Sequence, residues 1–254
     1  MLLDIEHLCL SFGGLKATND VSISLEEGKV YALIGPNGAG KTTFFNLISG
    51  VYKPNSGTIT FDGQRIDGLR PYRVNQCGIA RTYQVINLFR KMTAIENVKV
   101  GMHSRLKSNF FQSMVHSKSA REEEARIEEE ALELLDFVGL KDHAYAPAGD
   151  LSYGQQRLLE IVRAMASKPK LLLLDEPAAG MNSTEKVELN VLIRKILNKG
   201  ITVLLVEHDM KLVMNVADKI FVLNYGSKLA EGAPQEIQNN PKVIEAYLGG
   251  GSNK

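Results

Sequence analysis

The chain has few cysteines, no excess of one charge and no long apolar run. Its 254 residues contain two cysteines, Cys9 and Cys77, which is too few for a disulfide framework, so both are expected to be buried thiols in a reducing compartment. Lys and Arg total 30 and Asp and Glu total 29, a balance that argues against a nucleic-acid partner. No apolar stretch approaches the roughly 18 residues of a membrane helix. The acidic N-terminus also lacks the pattern of a signal peptide.

What the chain has is an alternation of strand and helix patterns in its first and last thirds. This alternation predicts an α/β fold with a mainly parallel sheet covered on both faces, and antiparallel strands near the N-terminus. Strands are predicted at 21–25, 30–34, 58–61, 78–83, 170–174, 201–206, 220–224 and 228–231. Helices are predicted at 42–49, 155–167, 183–198 and 210–216, with two further helical pieces after them.

The middle of the chain reads differently, because 94–138 carries a helical pattern with a polar interruption near 104–119. An apolar stripe from Ile127 to Val138 has the spacing of one helix face, and the glutamates beside it, 122–124 and 128–130, are expected to form a solvated face. We therefore predict one domain over 1–254, in which a helical subdomain at about 85–167 is inserted between core segments 1–84 and 168–254.

A glycine-rich segment after the predicted strand at 30–34 fits the pattern G-x-x-x-x-G-K-[ST]. Its glycines let backbone N–H groups surround phosphates, Lys41 reaches the terminal phosphates, and the Thr42 hydroxyl ligates Mg²⁺. The alternative is a glycine-rich turn without a ligand. The predicted nucleotide-binding residues here are Gly35, Pro36, Asn37, Gly38, Ala39, Gly40, Lys41, Thr42 and Thr43.

Two carboxylates, Asp175 and Glu176, follow the apolar run at 171–174. Such a pair suits a phosphate loop, because Asp175 would hold the hydrated Mg²⁺ and Glu176 would polarise the attacking water as a general base. The alternative is a helix cap with a solvated neighbour. These two motifs together indicate only a nucleoside triphosphatase that uses Mg²⁺.

A second anion site is predicted at 151–156, LSYGQQ, where Ser152 suits a helix cap and Gly154 lets the backbone approach phosphate, with Gln155 next to it. The alternative is a simple capped helix. This segment resembles the signature motif of ABC-type ATPases. That resemblance implies a P-loop fold of the RecA-like type and further roles: Gln84 as the Q-loop glutamine, a catalytic group and a metal ligand; His208 as the switch histidine; and Phe12 as the aromatic that stacks on adenine.

The resemblance extends from about residue 3 to 248, and it is closest to the larger ATPase of high-affinity branched-chain amino-acid importers. Segments such as ARTYQ at 80–84, YGQQR at 153–157 and EHDMKLVM at 207–214 carry it, as does the polar stretch 104–119. Tyr153 and Asn182 depart from the general ABC pattern in ways that are usual in this subgroup, although Asn182 leaves the polar role of that loop across a dimer open.

The resemblance implies a subunit at the cytoplasmic face of the inner membrane that hydrolyses ATP in a head-to-tail dimer with a second copy or a paralogue. It further implies membrane subunits docked on 85–98, from Val85 to Val98, an external substrate-binding protein, and no nucleic acid. An ordinary surface helix pair is the alternative for 85–98. Other functions left open are the same ATPase with another cargo (urea, another amino acid, outer-membrane lipid), a soluble ABC ATPase acting on DNA or ribosomes, and a non-catalytic regulator.

Overall fold

The computed structural model describes residues 1–105 and 118–248. Most of the polar stretch 104–119 lies outside these residues. The chain forms two compact units, one made of Met1–Arg81 with Lys170–Lys254 and the other of Thr82–Pro169.

The elements follow the chain in this order. The strands are β1 (Leu3–Phe12), β2 (Leu15–Leu25), β3 (Val30–Ile34), β4 (Ser56–Phe61), β5 (Gln64–Arg65), β6 (Ile79–Arg81), β7 (Leu171–Asp175), β8 (Thr202–Val206), β9 (Lys219–Asn224) and β10 (Ser227–Gly232). The helices are α1 (Lys41–Ile48), α2 (Pro71–Gln76), α3 (Ala94–Met102), α4 (Lys118–Phe137), α5 (Tyr153–Met165), α6 (Ser183–Asn198), α7 (Met210–Val216), α8 (Pro234–Gln238) and α9 (Pro241–Leu248).

The first unit contains two sheets. A four-stranded antiparallel sheet has the order β2-β1-β4-β5, and a six-stranded sheet has the order β10-β9-β3-β8-β7-β6. Neighbours in the larger sheet run parallel except β10 and β9. Strands β3, β7 and β8 are buried along their whole length, as expected for parallel strands covered on both faces.

The second unit is helical. Together with the mainly parallel sheet of the first unit, it confirms the predicted α/β class with an inserted helical subdomain. Ala131 on the apolar stripe of α4 is fully buried. The prediction of a merely solvated acidic face is wrong for two glutamates. Glu128 pairs with Lys99 at 2.8 Å and Glu130 pairs with Lys168 at 3.0 Å, because basic groups of neighbouring segments reach this face.

Smaller predictions also need correction. Helix α5 begins at Tyr153 rather than at 155, and the strand predicted at 78–83 is only three residues long. Cys9 and Cys77 are free thiols but only half-buried. Within 1–105 and 118–248, every helix is too short or too polar to cross a bilayer.

Candidate functional site

The larger sheet gathers the predicted phosphate-site residues at one edge, because its parallel strands all end there. Polar groups placed just beyond the carboxyl ends of neighbouring parallel strands share a crevice, and that crevice is where open α/β sheets bind ligands. The groups at this edge are the loop after β3, His208 after β8, Asp175 and Glu176 at β7, and Arg81 at β6.

The phosphate loop joins β3 to α1 and requires glycine at two places. A side chain at Gly35 would overlap the carbonyl oxygen of Leu223, and one at Gly40 would overlap that of Ala17. Gly40 also has a φ of 98°, in the left-handed region. It is the N-cap of α1, and as a glycine it offers no side chain to accept a hydrogen bond from the first turn of that helix. The loop and helix end therefore fit an anion such as a polyphosphate.

Lys41 is buried, and its ammonium is turned back onto the loop. Its Nζ donates to the carbonyl oxygens of Gly35 at 2.6 Å and of Pro36 at 2.9 Å. Burial lowers the pKa of Lys41, while the Glu176 carboxylate opposes that shift. The side chain is thus held at the loop by carbonyl groups that phosphate oxygens can replace.

Asp175 is the last residue of β7 and is buried. Its Oδ2 accepts a hydrogen bond of 2.8 Å from the guanidinium of Arg81. Thr42 lies exposed in the first turn of α1, and Thr43 next to it is half-buried. The hydroxyl of Thr42 and the carboxylate of Asp175 are oxygen donors of the kind that Mg²⁺ prefers, so the residues present fit this metal.

Glu176 and His208 contact each other across two neighbouring strand ends. Glu176 Oε1 lies 2.8 Å from His208 Nε2. The backbone of Glu176 has a φ of 48°, and its N–H donates to the carbonyl oxygen of Val206 at 2.9 Å. This strained turn directs the carboxylate of Glu176 toward the histidine that follows β8.

Glu207 is a residue of this edge that the sequence reasoning did not assign. It is buried directly after β8 and accepts backbone hydrogen bonds from Ala178 at 2.7 Å and from His208 at 3.0 Å. Burial raises the pKa of Glu207, and these backbone donors partly offset the rise. Its position directly after a buried strand, like that of Glu176 after β7, was the available signal.

A cavity of about 480 Å³ adjoins the phosphate loop. Its walls include residues 35–39 of the loop, His208, Tyr225 and Tyr247. Tyr247 on α9 was also missed, since a tyrosine in a C-terminal helix gives no sequence signal for a site.

Phe12 lies at the end of β1 in the same unit, half-exposed. Its ring meets that of Tyr52 edge-on, with centroids 5.3 Å apart. The ring is therefore accessible, and its contact with adenine stays a prediction.

The predicted signature residues lie in the second unit, at the start of α5. Ser152 is the N-cap, which confirms its predicted local role: its Oγ accepts from Gln155 N–H at 3.3 Å, and its own N–H donates to Gln155 Oε1 at 3.0 Å. Gly154 is buried in the first turn. The two polar side chains thus fix each other at the helix end.

Gln84 also lies in the second unit, where a buried ion pair of α5 holds its backbone. Arg157 donates to the carbonyl oxygens of Tyr83 and Gln84 at 2.8 Å each, and to Glu160 at 2.8 Å. Glu160 in turn lies 3.4 Å from the N–H of Asn87. The sequence offered only an i, i+3 charge pair as a signal for Arg157 and Glu160.

Comparison with known families decides the identity. A family profile described as "ABC transporter" matches residues 18–179, more than half of the chain. The chain belongs to this ABC transporter family. A second profile, described as "Branched-chain amino acid ATP-binding cassette transporter", matches residues 227–252 of this ABC ATPase.

The similar proteins match this chain over nearly its whole length. The high-affinity branched-chain amino acid transport ATP-binding protein LivG of Salmonella typhimurium is 47% identical over 249 residues, 98% of each chain. A crystal structure of the ADP conformation of an ATP-binding cassette of an ABC transporter has a TM-score of 0.85 at 34% identity, with 98% of both chains covered.

A dimeric ATP-binding cassette in a post-hydrolysis state, bound to ADP and Pi, has a TM-score of 0.77 at 25% identity and covers 92% of this chain and 99% of that one. The predicted P-loop fold, the nucleotide-binding family and the ABC-type ATPase class are therefore confirmed for this ABC ATPase.

Proposed function

We propose that this ABC ATPase hydrolyses ATP in a head-to-tail dimer and so drives the import of branched-chain amino acids. The observation that carries the proposal is the contact of Glu176 with His208 at 2.8 Å, at the sheet edge that also carries the phosphate loop. A positioned carboxylate beside a histidine at a phosphate loop suits activation of a water molecule.

Binding rests on the loop and on Phe12. The backbone N–H groups from Gly35 to Thr43 surround the phosphates, and Lys41 exchanges its carbonyl partners for the terminal phosphates. Phe12, with its exposed ring, stacks on adenine. Gly35 and Gly40, where a side chain would overlap backbone carbonyl oxygens, let the loop backbone come close to the ligand.

Hydrolysis rests on two side chains of the edge and on Mg²⁺. Glu176 accepts a proton from the attacking water as general base, and His208 holds that water and the terminal phosphate in place. Thr42 and Gln84 would supply oxygen ligands to the metal, and the Asp175 carboxylate would hold it through water. Bound Mg²⁺ supplies neutralisation of the charge that develops on the phosphate oxygens.

The start of α5 completes the site of a second subunit. Ser152, Gly154 and Gln155 meet the terminal phosphate of an ATP bound by that subunit, which is a second copy or a paralogue. The cap described above suits this role because it orders the first turn of α5, while its two hydrogen bonds use the N–H groups of Ser152 and Gln155 and not those of Tyr153 and Gly154.

Segment 85–98 is the proposed docking surface for membrane subunits, which places the protein peripherally at the cytoplasmic face of the inner membrane. Val85 is 78% exposed and Phe89 is 51% exposed. The buried side chain of Asn97 holds this segment by bonding to the backbone N–H and carbonyl of Phe89 at 3.0 and 3.1 Å. Exposed apolar side chains on a rigid backbone are typical of a protein interface.

The proposed cargo is supported by the family profile over 227–252 and by the relatives that are 47% identical, which are named as branched-chain amino acid transport ATP-binding proteins. The test is uptake by proteoliposomes that contain the membrane subunits and this ATPase, with ATP inside and the external binding protein added. We expect radiolabelled leucine to accumulate with the wild-type chain and not with Glu176→Gln. Uptake of urea in place of leucine would contradict the proposed cargo. Absence of ATP hydrolysis would contradict the proposed activity.

A further inference from the structure

Arg81 is a buried arginine at the site edge to which no role has been given above. Its guanidinium donates to Asp175 Oδ2 at 2.8 Å, to Asn46 Oδ1 at 2.7 Å and to Ser49 Oγ at 2.8 Å. The side chains of both ion-pair partners, Arg81 and Asp175, are 5% exposed. The Cζ atom of Arg81 also lies 5.5 Å from the ring centre of Phe45.

These contacts join two elements that carry the proposed metal ligands. Asn46 and Ser49 lie at the C-terminal half and the end of α1, whose first turn contains Thr42. Asp175 closes β7. One planar group with donors in a fixed fork therefore connects the helix that bears Thr42 to the strand that bears Asp175.

We propose that Arg81 is a positioning residue for Mg²⁺, which holds the Asp175 carboxylate in register with the helix that carries Thr42. This inference rests on the proposed function, because it assigns Thr42 and Asp175 to the metal. Groups that orient the residues around a metal commonly govern its affinity.

The contribution of Arg81 is geometric rather than electrostatic. A positive charge next to Asp175 opposes the binding of a cation there, so charge alone would weaken the metal site. The benefit lies in the fork, which reaches the carboxylate and both α1 side chains at once. A lysine keeps the charge but has a compact ammonium on a flexible stem, and it cannot reproduce this planar arrangement.

Arg81→Lys separates geometry from charge. We would measure the binding of a fluorescent ATP analogue to the full chain at increasing Mg²⁺, and again in EDTA. The Mg²⁺ concentration that gives half of the maximal increase in analogue binding should rise about tenfold or more in the variant. This matches the effect of losing other groups that orient metal ligands. Affinity in EDTA should stay unchanged. The matched control is Arg65→Lys, since Arg65 is an exposed arginine of the same unit that pairs with Asp67.

An unchanged or lower Mg²⁺ requirement in Arg81→Lys would overturn the inference, and so would an equal loss of affinity with and without the metal. If this variant fails to fold, Ser49→Ala removes one acceptor of the guanidinium. It should raise the Mg²⁺ requirement about threefold, equivalent to about 0.6 kcal/mol, and no change would again overturn the inference. A wild-type chain that binds no ATP analogue would instead overturn the proposed function.

Discussion

His208 Nε2 lies 2.8 Å from Glu176 Oε1, so the proposed base and the proposed phosphate-holding histidine are already hydrogen-bonded. The strained backbone of Glu176 has a φ of 48°. The Glu207 carboxylate accepts hydrogen bonds from the backbone N–H groups of Ala178 and His208, and these features together hold the two strand ends in place. The geometry thus holds the side chains of Glu176 and His208 in contact at the sheet edge that carries the phosphate loop.

The first prediction concerns the carboxylate of Glu176. Glu176→Gln keeps size and hydrogen bonding but removes the proton acceptor, so hydrolysis should fall by about 10²–10⁴-fold. ATP should still bind through Lys41 and the loop. Because the variant binds ATP but does not hydrolyse it, the ATP-bound state should persist. We therefore expect an ATP-dependent dimer, either of two copies of this chain or with the paralogue, which gel filtration with and without ATP would detect.

Two further variants give this test its controls. Glu188→Gln changes an exposed carboxylate on α6 and should leave turnover unchanged. Ser152→Arg, added to Glu176→Gln, should abolish the dimer, because bulk and charge would block the start of α5. Hydrolysis by Glu176→Gln at a near wild-type rate would exclude Glu176 as the base. A monomer in ATP, even with the paralogue present, would argue against the head-to-tail dimer.

The second prediction concerns His208. Removal of the imidazole in His208→Ala leaves Glu176 without its partner and the terminal phosphate without its proposed donor. Phosphate release should fall about 100-fold, while equilibrium binding of ATP should change little. A loss of binding as large as the loss of turnover would mean that His208 maintains the loop rather than the reaction.

Much of the fold could be predicted because the central strands are continuous apolar runs. β3 and α6 have the predicted bounds. β1 was missed because its two-residue alternation is interrupted: the pairing register shifts between Ile5 and Leu8, where His7 has a φ of 51°. The six residues of α2 are too few to give a helical period, and only Val74 of them is buried.

The residues of the candidate site also fall into those that the sequence could predict and those that it could not. The position of Asp175 and Glu176 at the sheet edge could be predicted because they directly follow the apolar run that forms β7. Arg81 was missed because its role depends on partners 32 to 94 residues away in the chain. Such long-range contacts have no periodicity that a single sequence can reveal.

The third prediction tests the aromatic contact. Stacking of a side chain on a base contributes about 1–3 kcal/mol, so Phe12→Ala should weaken ATP binding by about tenfold or more. Leu15→Ala, an exposed apolar residue at the start of β2, is the control and should bind ATP normally. If titration calorimetry shows that Phe12→Ala binds ATP with unchanged affinity, the ring does not stack on adenine and its role is the contact with Tyr52.

The fourth prediction tests the docking segment. Arg90 and Lys91 are exposed within 85–98, and their double reversal to glutamate should weaken co-purification with the membrane subunits. ATPase activity of the isolated chain should persist, because neither side chain belongs to the nucleotide site. Arg126→Glu on α4 is the control for a charge reversal elsewhere in the unit. Equal loss of both activities would indicate a folding role.

The last prediction concerns the buried pair of Arg157 and Glu160, which are 0% and 1% exposed. Arg157→Met leaves Glu160 buried without its cation and should cost about 3–5 kcal/mol of unfolding free energy in a urea titration. Arg157→Met combined with Glu160→Leu should recover much of that loss, because no charge is then buried. Lys29→Met, which breaks an exposed i, i+3 pair, is the control and should change the unfolding free energy far less, because solvent screens that pair.

The pH dependence of Arg157→Met distinguishes an unpaired charge from a packing defect. Burial raises the pKa of Glu160, and Arg157 opposes that rise. A carboxyl group whose pKa is higher in the folded than in the unfolded state binds its proton more tightly in the native protein. Its contribution to the unfolding free energy is therefore fully present below the pKa of the unfolded state, and it is lost as the pH rises through the pKa of the folded state. Without the guanidinium the folded pKa rises further. The deficit of Arg157→Met relative to wild type should therefore shrink as pH is lowered from about 8 to about 5.5, whereas a deficit independent of pH would indicate lost packing.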